Sequence, residues 1–230
     1  MTNISPPPSK LRSQAALSTP AETPRAARKR VMTDARRALV LDAARAVFFE
    51  LGIEKTSIRE IAQRAGYTPG AIYSYFPSKE AMYGALLSES LERLNEEVAS
   101  ARTRIDSGLE GVVRAKASAF FDFYRRNPRD LDLGFYLFQG MQPRGLTRSL
   151  NESLNSRLRD ALRPTQDALC AMGMSEQLAL AEITALFAHT VGILMLSHTG
   201  RIRMFKQASE ALFSAYLDQL VGRAAAHMQN

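Results

Sequence analysis

Residues 57–79 read SIREIAQRAGYTPGAIYSYFPSK, and the fold turns on how this stretch divides. Ser57 and Glu60 make the S-x-x-E pattern of a capping box, in which hydroxyl and carboxylate satisfy each other's backbone donors at a helix start. Ile58, Ile61, Ala62 and Ala65 supply the apolar face of that helix, and Gly66 stops it. Thr68 is then a second N-cap. Pro69 takes the first helical position, where its missing N–H costs nothing. Ile72 and Phe76, four residues apart, face the core, and Pro77 ends the helix after about two turns. Two short helices joined by a glycine turn are the organisation of a helix-turn-helix.

Outward from this pair the pattern stays helical. A first helix is expected from about Thr33, as N-cap, to Leu51, with Leu41, Ala44, Phe48 and Leu51 on one buried face and Gly52 past its end. Ser78 caps a fourth helix that carries Met82, Leu86, Leu87, Leu91 and Leu94 to about residue 105. Ser107 and Glu110 form another capping box, opening a helix to about Asn127. A shorter piece covers 129–139. The next helix, about 146–172, contains Pro164, which is expected to kink or split it. Ser175 caps a helix to about Ser197, and a last one covers about 201–226 after Gly200. No alternating apolar and polar run suggests a sheet. The fold class is all-α: a disordered basic arm at 1–32, a three-helix helix-turn-helix domain at 33–87, and a larger helical domain at 88–230.

Composition narrows the function classes. With 230 residues, 46% of them hydrophobic, the chain can bury a substantial core. The single cysteine, Cys170, excludes an internal disulfide framework and fits a reducing cytosol. There is no secretory apolar stretch at the N-terminus. The longest apolar run, Ala185 to Leu196, is shorter than the roughly 20 residues of a membrane span. A cytoplasmic protein with no membrane partner is expected. His189, His198 and His227 lie at no metal-ligand spacing, and no nucleophile-elbow, zinc-protease or phosphate-loop motif occurs. No enzyme activity, metal or cofactor is expected.

Charge is concentrated at one end. Residues 1–37 hold eight Lys and Arg against two acids, in a chain of net charge +7. A basic arm on a near-neutral body points to nucleic acid, and such arms can enter the minor groove. The stretch between Arg64 and Lys79, in contrast, holds no cation.

Three segments together resemble the N-terminal domain of the TetR/AcrR family of bacterial transcriptional repressors: AARAVFFELG at 43–52, TSIREIAQRAG at 56–66 and TPGAIYSYFPSKEAM at 68–82. The likeness covers about residues 34–87. Tyr75 stands where the family often has His, and Tyr67 where it often has a small β-branched residue; both departures bear on the operator sequence. The resemblance implies a homodimer on a pseudo-palindromic double-stranded DNA operator. It also implies a ligand-binding and dimerisation role for 88–230, with a small-molecule effector that releases the operator.

Within that frame the DNA-binding candidates are Thr56, Ser57, Arg59, Tyr67, Thr68, Pro69, Gly70, Tyr73, Tyr75 and Lys79. Ser57 and Thr68 stand at helix N-termini, which favour phosphate. Tyr73 and Lys79 are placed for phosphate contacts, and Arg59 for a base edge, where bidentate Arg to guanine is the commonest specific contact. The small residues at 68–71 permit close approach to the groove.

Seven of the 18 aromatics fall between Phe120 and Phe138. They read as core packing between helices or as a ligand cavity. Phe120, Tyr124, Tyr136 and Met141 are the lining candidates, supported by the family resemblance. The helix at 175–197 is apolar around most of its circumference, so a partner subunit is expected to cover it. Two other readings stay open: a non-specific architectural DNA-binding protein driven by the basic arm, and a small-molecule-binding or enzymatic helical domain with a vestigial DNA module.

Overall fold

The computed structural model describes residues 23–103, 107–135 and 147–228. Among them it contains helices and no strand: α1 (Pro24–Leu51), α2 (Ile58–Ala65), α3 (Pro69–Tyr73), α4 (Lys79–Ser100), α5 (Gly108–Arg126), α6 (Pro128–Phe135), α7 (Arg148–Ala171), α8 (Glu176–His198), a 3-10 turn (Arg201–Phe205) and α9 (Ser209–His227). The described residues fall into two units, one ending at Arg37 and one beginning at Ala38.

In the first unit the expected boundary is corrected. The helix starts at Pro24, nine residues before Thr33. Thr23 accepts from the Ala26 amide at 3.3 Å, so Thr23 and Pro24 form the N-cap and first helical residue. Alanines and long basic side chains then propagate the helix. Thr33 is no cap; inside the helix its hydroxyl donates to the Lys29 carbonyl at 3.0 Å. The expectation of disorder at 1–32 therefore fails for 24–32, and residues 1–22 lie outside the described set. As a helix about 10–12 Å across, 24–37 is too wide to lie in a groove about 6 Å wide as an extended arm would.

In the second unit, Val40, Leu41, Ala44, Val47 and Phe48 of α1 share one core with Ile61 and Ala62 of α2, Ile72 of α3, and Met82 and Leu86 of α4. Leu51 departs from its expected burial. As the last residue of α1 it opens onto a groove bordered by Glu50, Gln63 and Arg64, while Gly52 turns the chain with φ +79°. Further along, α7 packs on α4 and α5. Gly84 permits the first approach, since a Cβ there would come within 2.6 Å of Leu150 Cδ2.

Three other expectations are corrected here. The Ser107–Glu110 capping box does not form: Ser107 makes no cap hydrogen bond, and its ψ of 0° is not the extended backbone that a capping hydroxyl needs. α7 is not split at Pro164, since one helix runs through it; there the proline lacks the N–H that would have reached the Asp160 carbonyl. The last helix begins at Ser209, because Gly200 (φ +72°) and Lys206 (φ +52°) are left-handed and confine 201–205 to one 3-10 turn.

α8 buries Ile183, Leu186, Ile193 and Leu194 but leaves Leu180 52% and Met195 37% exposed. By length and composition it is also apolar enough to cross a membrane, unlike the shorter apolar run read from the sequence. About a third of its most apolar stretch is buried.

Candidate nucleic-acid interface

The helix pair is built by local chemistry. The capping box at the start of α2 forms in full: the Ser57 amide donates to Glu60 Oε2 at 2.7 Å, and the Glu60 amide donates to Ser57 Oγ at 3.3 Å. The bond from the Ser57 backbone is the main reason the Glu60 carboxyl sits below its ordinary pKa. Gly66, at φ +73°, ends α2, and the Tyr67 amide closes the turn on the Ala62 carbonyl at 2.9 Å. Thr68 then caps α3 by accepting from the Ala71 amide at 3.3 Å.

Ile72 and Phe76 fix α3 to the core. Their burial turns Thr68, Pro69, Gly70 and Tyr73 to the exterior. Tyr73 is 56% exposed. A Cβ added at Gly70 would meet nothing within 4 Å, so that backbone is open from outside. Tyr67 and Tyr75 are half-buried and meet edge to face, with centroids 6.3 Å apart. They brace the turn and leave less ring surface outward than Tyr73 does.

The cations around this surface differ in kind. Arg59 is exposed and has no ion partner among the described residues. Arg64 is held by Glu50 at 2.7 Å. Lys79 Nζ donates to three carbonyls, of Ile53 at 2.7 Å, Glu54 at 3.2 Å and Thr56 at 3.1 Å. Thr56 is 3% exposed, and its hydroxyl donates to the Gly52 carbonyl at 2.7 Å. The outward surface therefore gathers Ser57, Arg59, Thr68, Pro69, Gly70 and Tyr73, while the Thr56 hydroxyl and the Lys79 ammonium point into the α1–α2 loop. The one sequence signal for this was a lysine at the first position of a helix, where the dipole disfavours a cation.

A second basic surface lies on the N-terminal part of α1. Arg25, Arg28, Lys29 and Arg36 are spaced to share one helix face, are exposed, and have no ion partner among the described residues.

The ligand candidates fall elsewhere. Phe120 and Tyr124 are buried in an aromatic cluster: Tyr124 meets Phe120, Phe123 and Phe135 at 5.3, 5.2 and 5.8 Å, and Phe187 lies 6.1 Å from Phe120. Burial, more than the nearby Asp130, raises the Tyr124 pKa. Tyr136 and Met141 lie outside the described residues. A separate cleft of about 620 Å³ runs between α1, α4 and α6. Arg45 pairs with Glu89 at 3.1 Å on its rim, Arg93 with Asp130 at 2.5 Å, and Arg129 lies 5.3 Å from the Phe49 ring centre. Its lining is mostly charged, and neither Phe120 nor Tyr124 borders it.

Residues 40–86 match the family model TetR_N, bacterial regulatory proteins of the tetR family. The chain is 39% identical over 85 residues to the HTH-type transcriptional repressor Rv1474c of Mycobacterium tuberculosis, a match covering 37% of this chain and 42% of that protein. It is 36% identical over 107 residues to the HTH-type transcriptional activator FasR of Mycolicibacterium smegmatis, covering 46% and 48%. The chain thus spans less than half the length of these curated relatives. The structure of the regulatory protein SCO4313 has the same fold, with TM-score 0.68 and 19% identity over 84% of this chain and 98% of that one. FadR from Bacillus subtilis, solved in complex with stearoyl-CoA, shares it at TM-score 0.55 and 20% identity over 80% and 97%.

Proposed function

Because this chain belongs to the tetR family of bacterial regulatory proteins, a family of transcription regulators and not of enzymes, we propose that it is a cytoplasmic homodimeric repressor, released from its operator by a small molecule. The observation that carries the DNA reading is the cation-free outward face of α3, fixed from behind by Ile72 and Phe76. Thr68, Pro69 and Gly70 bring the helix start close to the base edges. Tyr73 then meets phosphate or base, and Arg59 reads one base pair from the start of α2. Arg25, Arg28, Lys29 and Arg36 supply attraction that does not depend on sequence. Selection of duplexes from random-sequence DNA by the purified protein tests this. Enrichment of one near-palindromic motif is expected; equal recovery of all sequences would favour the architectural reading.

Dimerisation is supported by α8, whose exposed side carries Leu180, Ala181, Thr184, Ala185, Ala188 and Met195. A second copy of α8 and α9 covers that side in the dimer. Sedimentation at micromolar concentration is expected to give a dimer mass, and a monomer would refute it. The effector reading rests on the aromatic cluster of α5, α6 and α8. An apolar ligand enters by parting Phe120, Tyr124, Phe135 and Phe187, and fatty acyl-CoA thioesters, the class carried by the similarly folded FadR, are the first to test. A rise in thermal stability together with loss of the selected duplex is expected from the right one. A ligand that tightens DNA binding instead would make the protein an activator or co-repressed regulator, the alternative that the name of FasR keeps in view.

A further inference from the structure

We infer that Lys79 is a positioning residue: it holds the α1–α2 loop, and through it the helix pair, and does not contact DNA phosphate. This rests on the regulator reading given above. An ammonium group has three donors, and all three of Lys79 are taken by the carbonyls of Ile53, Glu54 and Thr56. The neighbouring Gly52 carbonyl receives both the amide and the hydroxyl of Thr56, at 3.1 and 2.7 Å. Lys79 and Thr56 thereby satisfy four carbonyls of a loop only five residues long, from Gly52 to Thr56.

The site suits a cation. The loop follows the C-terminal end of α1, where aligned carbonyls favour positive charge. Lys79 is itself the first residue of α4, where its charge opposes the dipole of its own helix. The three carbonyl bonds offset that cost. A phosphate contact would require the ammonium to give up at least one of them.

The consequence is geometric. The loop ends at Ser57, the N-cap of α2, and α3 follows α2 through a tight turn at Gly66. Slack at residues 53–56 therefore shifts the start of α2 and the exposed face of α3 together. Arg59 and Tyr73 lose their register while the charge available for general attraction stays almost unchanged. Lys79 then governs how selectively the protein binds, and the free cations govern how strongly it is attracted.

The test uses the full chain, the duplex it enriches from random-sequence DNA, and a scrambled duplex of the same length. Lys79→Met keeps the aliphatic stem and removes the donors. Lys79→Arg keeps the charge but replaces the ammonium with a planar fork. Both variants are expected to lose about tenfold or more on the enriched duplex, a change of about 1.4 kcal/mol. Both keep their affinity for the scrambled duplex and their salt dependence, and both speed hydrogen exchange at the amides of residues 52–57. The opposite pattern overturns the inference. In that case Lys79→Met lowers the slope of log affinity against log salt by about 0.9, weakens both duplexes by the same factor and leaves loop exchange unchanged, and Lys79→Arg binds as wild type does. If Lys79→Met does not fold, Lys79→Arg decides on the same readouts. A wild-type protein that enriches no sequence would overturn the regulator reading instead, and exchange at 52–57 in Lys79→Arg would still decide the role of Lys79.

Discussion

The start of α3 and the N-terminal part of α1 make opposite use of the helix. α3 is short, has no cation between Arg64 and Lys79, and exposes small residues and one tyrosine. The early α1 is long and exposed along its length, and it carries four unpaired cations on one face. A crowded cationic surface attracts every duplex equally, whereas small side chains and a few directed polar atoms admit close approach and discriminate. The comparison teaches that the two tasks can be lodged in separate segments. Each can then be altered without the other, and the experiments below set them against each other.

The largest effect is expected from removing the support under α3. Ile72→Ala leaves a cavity in a fully buried site and should cost about 2–5 kcal/mol in denaturant unfolding, with loss of sequence-selective binding. Retained selectivity at that cost would mean that α3 is held by something other than the core. Next, replacing Arg25, Arg28, Lys29 and Arg36 by Gln should reduce the salt slope by up to about 0.9 per lost phosphate contact, about 3–4 in all. Arg59→Ala should cost about 1–3 kcal/mol and relax preference at one base pair, leaving the others intact. An unchanged preference would remove Arg59 from base readout. Tyr73→Phe deletes one hydroxyl and should weaken the enriched duplex by about 1 kcal/mol without affecting folding.

The smallest effect lies away from both surfaces. His189 stacks on Tyr216 with ring centres 4.1 Å apart. Burial is the main influence on His189 and lowers its pKa, against a hydrogen bond with the Leu212 backbone that raises it. The unfolded chain then binds the proton more readily than the folded one, so stability is complete above the ordinary histidine value. It falls as pH drops through about 6.5 toward the depressed value. Melting temperature followed from pH 8 to 5 should show this decline, and His189→Gln should flatten it. A decline that persists in the variant would assign the effect to other groups.

Much of the helix pair was legible because its signals are local. Ser57 with Glu60, and Thr68 with Pro69, bond within three or four residues, and each cap formed as read. Thr23 with Pro24 carries the same signature, but the proline-rich stretch it closes reads as disorder, and the expected start at Thr33 falls nine residues late. The capping box at Ser107 failed because the motif specifies residue types and not ψ. The loop bonds of Lys79 were illegible for a different reason. Its three acceptors lie 23 to 26 residues earlier in the chain and are backbone carbonyls, which leave no mark in a side-chain sequence. Phe120 and Tyr124 were legible as aromatic, but their number did not indicate whether the rings enclose a space or fill one.

The central claim is that selection resides in α3 and the start of α2, and general attraction in the cationic face of early α1. The most direct measurement compares wild type with the Arg25, Arg28, Lys29 and Arg36 to Gln variant across a salt series, on the enriched and scrambled duplexes. The account predicts that the variant binds both duplexes more weakly with a shallower slope, at an unchanged ratio between them. A collapse of that ratio, or a slope equal to that of wild type, would contradict it.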